Sequence, residues 1–134
     1  MIRRVSKISK KRFVKFLAMA LVLVMLTSVT AFGATDSKTF YSLGVSAQAY
    51  LYGDNNGADA STSYDDYGSL YVSVTFHYYR SDASGRQTAG DSLDRTGSEA
   101  SVYCYGSGLD VDGIDANGTH RVNSVSRTTS VSNL

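Results

Sequence analysis

The chain has 134 residues and a formal net charge of +1, but that balance joins two unlike parts. The first 34 residues hold seven basic side chains and no acidic one, whereas residues 35–134 hold six basic side chains against 12 acidic, a net charge of −6. An acidic domain of this kind repels phosphate backbones, which excludes nucleic acid as an expected partner and disfavours anionic membrane surfaces.

The opening segment places Arg3, Arg4, Lys7, Lys10, Lys11, Arg12 and Lys15 ahead of the apolar run "FLAMALVLVML", residues 16–26. That run is too short and too unevenly flanked for a transmembrane helix, and the small residues of "VTAFGA" follow it, so residues 1–34 read as a secretory signal peptide. Cleavage after Ala31, Gly33 or Ala34 fits, and the long basic leader resembles those of Gram-positive bacteria. The only membrane contact expected is through this leader before cleavage. The C-terminal "SVSNL" carries neither a sorting signal nor a hydrophobic tail, so the expected location is free in the extracellular medium.

Residues 35–134 suit one domain with one core, burying somewhat over ~60% of the surface that the unfolded chain would expose. The lone Cys104 cannot form an internal disulfide. In "EASVYCY" it alternates in step with Ala100 and Val102, which predicts a small buried hydrophobe and not an exposed nucleophile.

In chain order, "SLGVSAQAYLY" alternates Leu43, Val45, Ala47, Ala49 and Leu51 with Ser42, Ser46 and Gln48, the period of a half-buried strand. "GDNNG" supplies a tight connection and "ADASTSY" a weaker return strand. "SLYVSVTFHYY" is the most regular strand, with Leu70, Val72, Val74, Phe76 and Tyr78 on one face. "SDASG" closes it. "RQTAGDSL" reads as a less regular strand, "DRTG" as a turn and "SEASVYCY" as a strand, while "GLDV" and residues 122–131 supply two edge strands.

No helical period occurs after residue 34. Short strands parted by glycine- and aspartate-rich turns indicate a small antiparallel sandwich or barrel, and the expected form is a β-sandwich with Greek-key or meander connections. With no proline or tryptophan in the chain, edge protection is expected from charge and from short, twisted strands.

"GLDVDGIDANGTH", residues 108–120, gathers three aspartates and an asparagine among three glycines. A helix-loop-helix calcium site needs oxygen ligands at positions one, three and five, glycine at six and glutamate at twelve. With Gly118 at six, position one is Gly113 and position twelve is Ser124; with Gly113 at six, they are Gly108 and Thr119. Both registers fail. A looser cation site would gather Asp112, Asp115 and Asn117, but the expected reading leaves Asp110 and Asp112 solvated with "DANG" as a turn. No metal or other cofactor is expected.

His77 and His120 lack the context of a nucleophile elbow or paired carboxylates, so both are expected as surface or cross-strand partners. No catalytic residue is assigned, and the protein is expected not to be an enzyme.

All ten tyrosines follow residue 34. Tyr50, Tyr52, Tyr71, Tyr79, Tyr103 and Tyr105 lie opposite the apolar phase of their strands, which predicts an outward tyrosine face. Tyrosine offers a flat apolar body with a polar tip at low entropic cost, so such a face suits a glycan, a cell-wall component, a protein or a second copy of the chain. Cross-strand pairing alone would also account for it.

The leader followed by "GVSAQAYLY", "VSVTFHYY", "SGRQ" and "EASVYCY" resembles the layout of the lactococcin type of small, secreted, all-β bacteriocins. The chain departs from that family in having no tryptophan and no basic, histidine-rich middle. The resemblance implies interference with cell-wall synthesis in competing bacteria. The residues themselves point to a secreted, non-enzymatic β-domain that binds or self-associates through its surface.

Overall fold

A computed structural model describes residues 33–134. The expected signal peptide, residues 1–34, lies outside the described residues except for Gly33 and Ala34, and β1 begins at Ala34. Residues 33–134 form one compact unit.

Six strands make up this unit: β1 (Ala34–Ser42), β2 (Val45–Gly53), β3 (Gly57–Tyr79), β4 (Gln87–Tyr105), β5 (Asp112–Val122) and β6 (Val125–Ser132). Every pairing is antiparallel. All six strands belong to one sheet of order β1-β2-β3-β5-β6, with β4 along β3, and the sheet nearly closes into a barrel as β1 approaches β6. The two separate sheets expected from the turn spacing are not present among the described residues, because β3 and β4 run through both halves of the structure.

β3 is long enough to serve both halves: β2 pairs with its residues 58–64 and β5 with residues 70–79. Between them the ladder with β4 slips between Ser63 and Gly68, so that "YDDY" bulges against the single Ser98. Such an insertion bends a strand and raises its twist without ending it. The sequence read a break here, yet the inward phase of Ala58, Ala60, Thr62 and Tyr64 resumes at Leu70 and continues through Val72, Val74, Phe76 and Tyr78. Asn123 supports the bend. Its backbone N–H donates to the Ser69 carbonyl at 2.7 Å, its Oδ1 accepts from the Ser69 N–H at 3.1 Å, and its Nδ2 donates to Ser42 Oγ at 2.9 Å.

Several local readings change. "GLDV" is loop; "DANG" lies inside β5 and "DRTG" inside β4, both with strand partners along their length. Leu43 is not on the buried face: with Gly44 it forms the two-residue β1–β2 turn, both at positive φ (53° and 79°), and it is 87% exposed. Positive φ at both central residues matches the right-handed twist of a hairpin and overrides the apolar pattern. β1 itself has no clean alternation in the sequence; only Phe40 and Ser42 are buried from it.

The core is one cluster of buried residues. Ala47, Ala49, Ala58, Ala60 and Ala100 give one half a small-residue lining, and Leu70, Val72, Val74 and Phe76 give β3 its bulk beyond the bend. Each of these large side chains contributes on the order of 1.5–3 kcal/mol by leaving water. Cys104 is buried in phase with Ala100 and Val102, and burial pushes its thiol pKa above the ordinary value.

The seam between β1 and β6 is joined by side chains. Lys38 Nζ donates to the Thr128 carbonyl, and Asp36 Oδ2 accepts from the Ser130 N–H at 3.0 Å. These bonds satisfy edge groups of β6 that a backbone ladder would otherwise take.

Candidate functional site

Beside the turn that joins β2 to β3, a groove of about 420 Å³ opens on the outer face of β2, β3 and β4. Its walls are Tyr52, Asp54, Asp59, Tyr103 and Tyr105, over a floor that includes Gly57. Strand register builds it: Tyr52 of β2 pairs with Asp59 of β3, which pairs with Tyr103 of β4, so one outward row reads Tyr–Asp–Tyr. Two residues along β4, the Tyr105 ring stands 5.5 Å from that of Tyr103, tilted by 54°.

The turn is fixed by its aspartate. Asp54 Oδ1 accepts from the N–H groups of Asn56 at 2.8 Å and Gly57 at 3.0 Å, and Oδ2 accepts from the Tyr52 hydroxyl at 3.3 Å. The Asp54 N–H donates to the Gly57 carbonyl and the Gly106 N–H to the Asn56 carbonyl, each at 2.9 Å, which ties the turn to the end of β4. Gly57 lies opposite Tyr105, and a Cβ there would stand 2.7 Å from the ring's Cδ1 and closer still to the Cys104 carbonyl oxygen. Only a bare backbone lets the ring lie this near β3.

The electrostatics are one-sided. No basic side chain lines the groove, and Asp59 has no ion-pair partner among the described residues. Its pKa is raised, first by loss of water around the carboxylate and then by the nearby Asp54. The Tyr52 pKa is also raised, by desolvation first and then by Asp54, Asp59 and Tyr50.

The six expected tyrosines do not form one platform. Tyr52, Tyr103 and Tyr105 converge on the groove, and Tyr50 lies two residues from Tyr52 on the same face of β2, 39% exposed and outside the groove lining. Tyr71 and Tyr79 stand beyond the bend. Tyr71 lies under the Arg121 guanidinium, 5.1 Å from its ring centroid, and Arg121 also bonds Asp94 at 3.2 Å. Tyr79 closes β3 opposite Asp112, 52% exposed.

The three residues of the looser cation site are also parted in role. Asp115 Oδ1 faces His77 Nδ1 at 2.6 Å and its Oδ2 accepts from Arg86 at 2.7 Å, so both oxygens are directed at donors. Asn117 Nδ2 donates to Asp115 at 3.4 Å, and Asp112 pairs with Tyr79 at the start of β5. No group of three or more His, Cys, Asp or Glu with metal-binding geometry occurs among the described residues.

His77 is a cross-strand partner, as expected. His120 is not at the surface: it is fully buried, with Nδ1 2.9 Å from Thr62 Oγ1 and Nε2 2.8 Å from Thr129 Oγ1. This Thr–His–Thr chain crosses the interior from β3 to β5 to β6. Burial lowers the His120 pKa to about 4, so the ring is neutral at pH 7. Reading "DANG" as a turn hid this, because it removed residues 115–121 from any strand and His120 from the inward phase.

Asp54 and Asp59, which give the groove its charge, were not among the candidates read from the sequence. The available signal was Asp59 in outward phase on the strand between the two tyrosine-bearing strands. Compared with known proteins, the chain matches no family model, no curated protein and no solved structure.

Proposed function

We propose that the protein is a secreted, non-enzymatic binding module that holds an extracellular ligand in the groove of Tyr52, Tyr103 and Tyr105. The observation that carries this reading is the convergence of three outward tyrosines on one concavity whose shape is fixed by the Asp54 turn. Rings carried on a sheet present stacking area at a low ordering cost on binding. The acidic charge of residues 35–134 and the leader that precedes them accord with export, and cleavage after Ala31 leaves β1 whole.

The test is retention on Gram-positive cell-wall material. Tyr52→Ser with Tyr103→Ser keeps the fold, losing cross-strand pairs of roughly 0.2–1 kcal/mol each, and loses retention. If the parent is not retained, sedimentation decides whether the groove serves self-association, in which case the double variant is monomeric where the parent is a dimer. Full retention by the double variant, or an unchanged dimer, contradicts the reading.

A second reading follows from the resemblance to lactococcin-type bacteriocins. "GVSAQAYLY", apart from the turn residue Gly44, and "EASVYCY", which carry much of that resemblance, lie in β2 and β4, the strands on either side of the groove. Its groove ligand would then be a cell-wall component of competing bacteria. Inhibition of related bacteria at low concentration supports this reading, and retention without inhibition excludes it.

A further inference from the structure

We infer that the groove selects an organic ammonium group, of the trimethylammonium kind carried by choline, seated on the tyrosine faces with Asp59 as its counter-charge. The inference rests on the groove being a binding site and names the chemistry of its ligand. Three aromatic rings and two carboxylates line one concavity, and no lysine or arginine does. The face of a tyrosine ring carries negative quadrupolar charge and attracts a cation within about 6 Å of its centroid. Asp59 lies between the Tyr52 and Tyr103 positions in the cross-strand row, without an ion-pair partner among the described residues.

The same arrangement argues against a metal ion. Both Asp54 oxygens already accept hydrogen bonds, from the turn N–H groups and from Tyr52, which leaves Asp59 as the one carboxylate without such partners. Calcium takes six to eight oxygens, and ring faces supply none. A weakly hydrated organic cation needs surface and one charge, and the groove offers both. A neutral sugar would use the rings and donate a hydroxyl to Asp59, but it would leave the carboxylate's charge uncompensated.

The test uses choline and its neutral isostere 3,3-dimethyl-1-butanol, followed by amide NMR on protein recovered from expression of the full chain, with sodium chloride matching ionic strength. Choline is expected to give saturable shifts at the signals of Asp59, Tyr103 and Tyr105, at least about tenfold tighter than the isostere. Asp59→Asn, with an otherwise unchanged spectrum, should lose about tenfold in choline affinity and none for the isostere. On acidification the parent should lose choline affinity with a midpoint above the ordinary aspartate value of 3.8.

Equal binding of choline and isostere, unchanged binding by Asp59→Asn, or no saturable choline shift overturns the inference. Retention on cell-wall material that still depends on Tyr52 and Tyr103 would then preserve the groove and remove only the ammonium. Loss of both would remove the groove as well.

Discussion

Asp59 of β3 lies directly opposite Tyr103 of β4, a carboxylate and an aromatic ring in cross-strand register on an outward face. The pairing offers the carboxylate no donor. Loss of water around the carboxylate, and then the nearby Asp54, make the ionised form of Asp59 less favoured in the fold than in the unfolded chain, which is why its pKa is raised. An acid whose folded pKa is raised subtracts stability above that pKa. Asp59→Asn is therefore expected to raise the melting temperature at pH 7, by an amount equivalent to about 0.5 kcal/mol or less for so exposed a site, and to leave it unchanged well below pH 4. Thermal melts at the two pH values check this.

His120 works in the opposite sense. Its folded pKa of about 4 lies below the ordinary 6.5, so the unfolded chain takes up a proton before the folded one does. The stability contributed by the neutral buried ring is present above pH 6.5 and is lost as pH falls from there towards 4. Melting temperatures measured between pH 7 and pH 4 should show this decline, and His120→Gln should show a smaller one while starting from a lower value at pH 7.

Gly118 leaves the space that this network occupies. A Cβ at residue 118 would stand 2.5 Å from Thr129 Oγ1 and 2.8 Å from His120 Nε2. Gly118→Ala should therefore break the His120–Thr129 bond and cost on the order of 1–3 kcal/mol, since it leaves buried polar groups unpaired. Denaturant unfolding measures it.

Cys104 should react slowly with a thiol reagent in the folded protein and promptly after denaturation, because its sulfur is buried and its thiolate disfavoured. A thiol titration with and without denaturant distinguishes the two.

The inward phases of Ala47, Ala49 and Leu51, of residues 70–78, and of Ala100, Val102 and Cys104 were legible because a two-residue period survives wherever one face of a strand is buried. What was not legible depended on features without period. The β3 bend inserts residues that break the alternation without ending the strand, so one strand of 23 residues read as two. Gly118, in "DANG", read as a turn former, although it is a strand position close against other groups. For the site, outward phase picked out the tyrosines, but the convergence of Tyr52, Tyr103 and Tyr105, and not of Tyr71, follows from which strands β3 pairs on each side of its bend. Sequence periodicity carries no information on that pairing.

The groove itself is most directly tested by tyrosine-ring NMR during addition of solubilised cell-wall fragments. Binding in the groove predicts ring-signal changes at Tyr52, Tyr103 and Tyr105, with none at Tyr41, Tyr67 or Tyr79, which are exposed but stand outside the groove. Changes spread over all exposed tyrosines, or confined to Tyr41, Tyr67 and Tyr79, would contradict it.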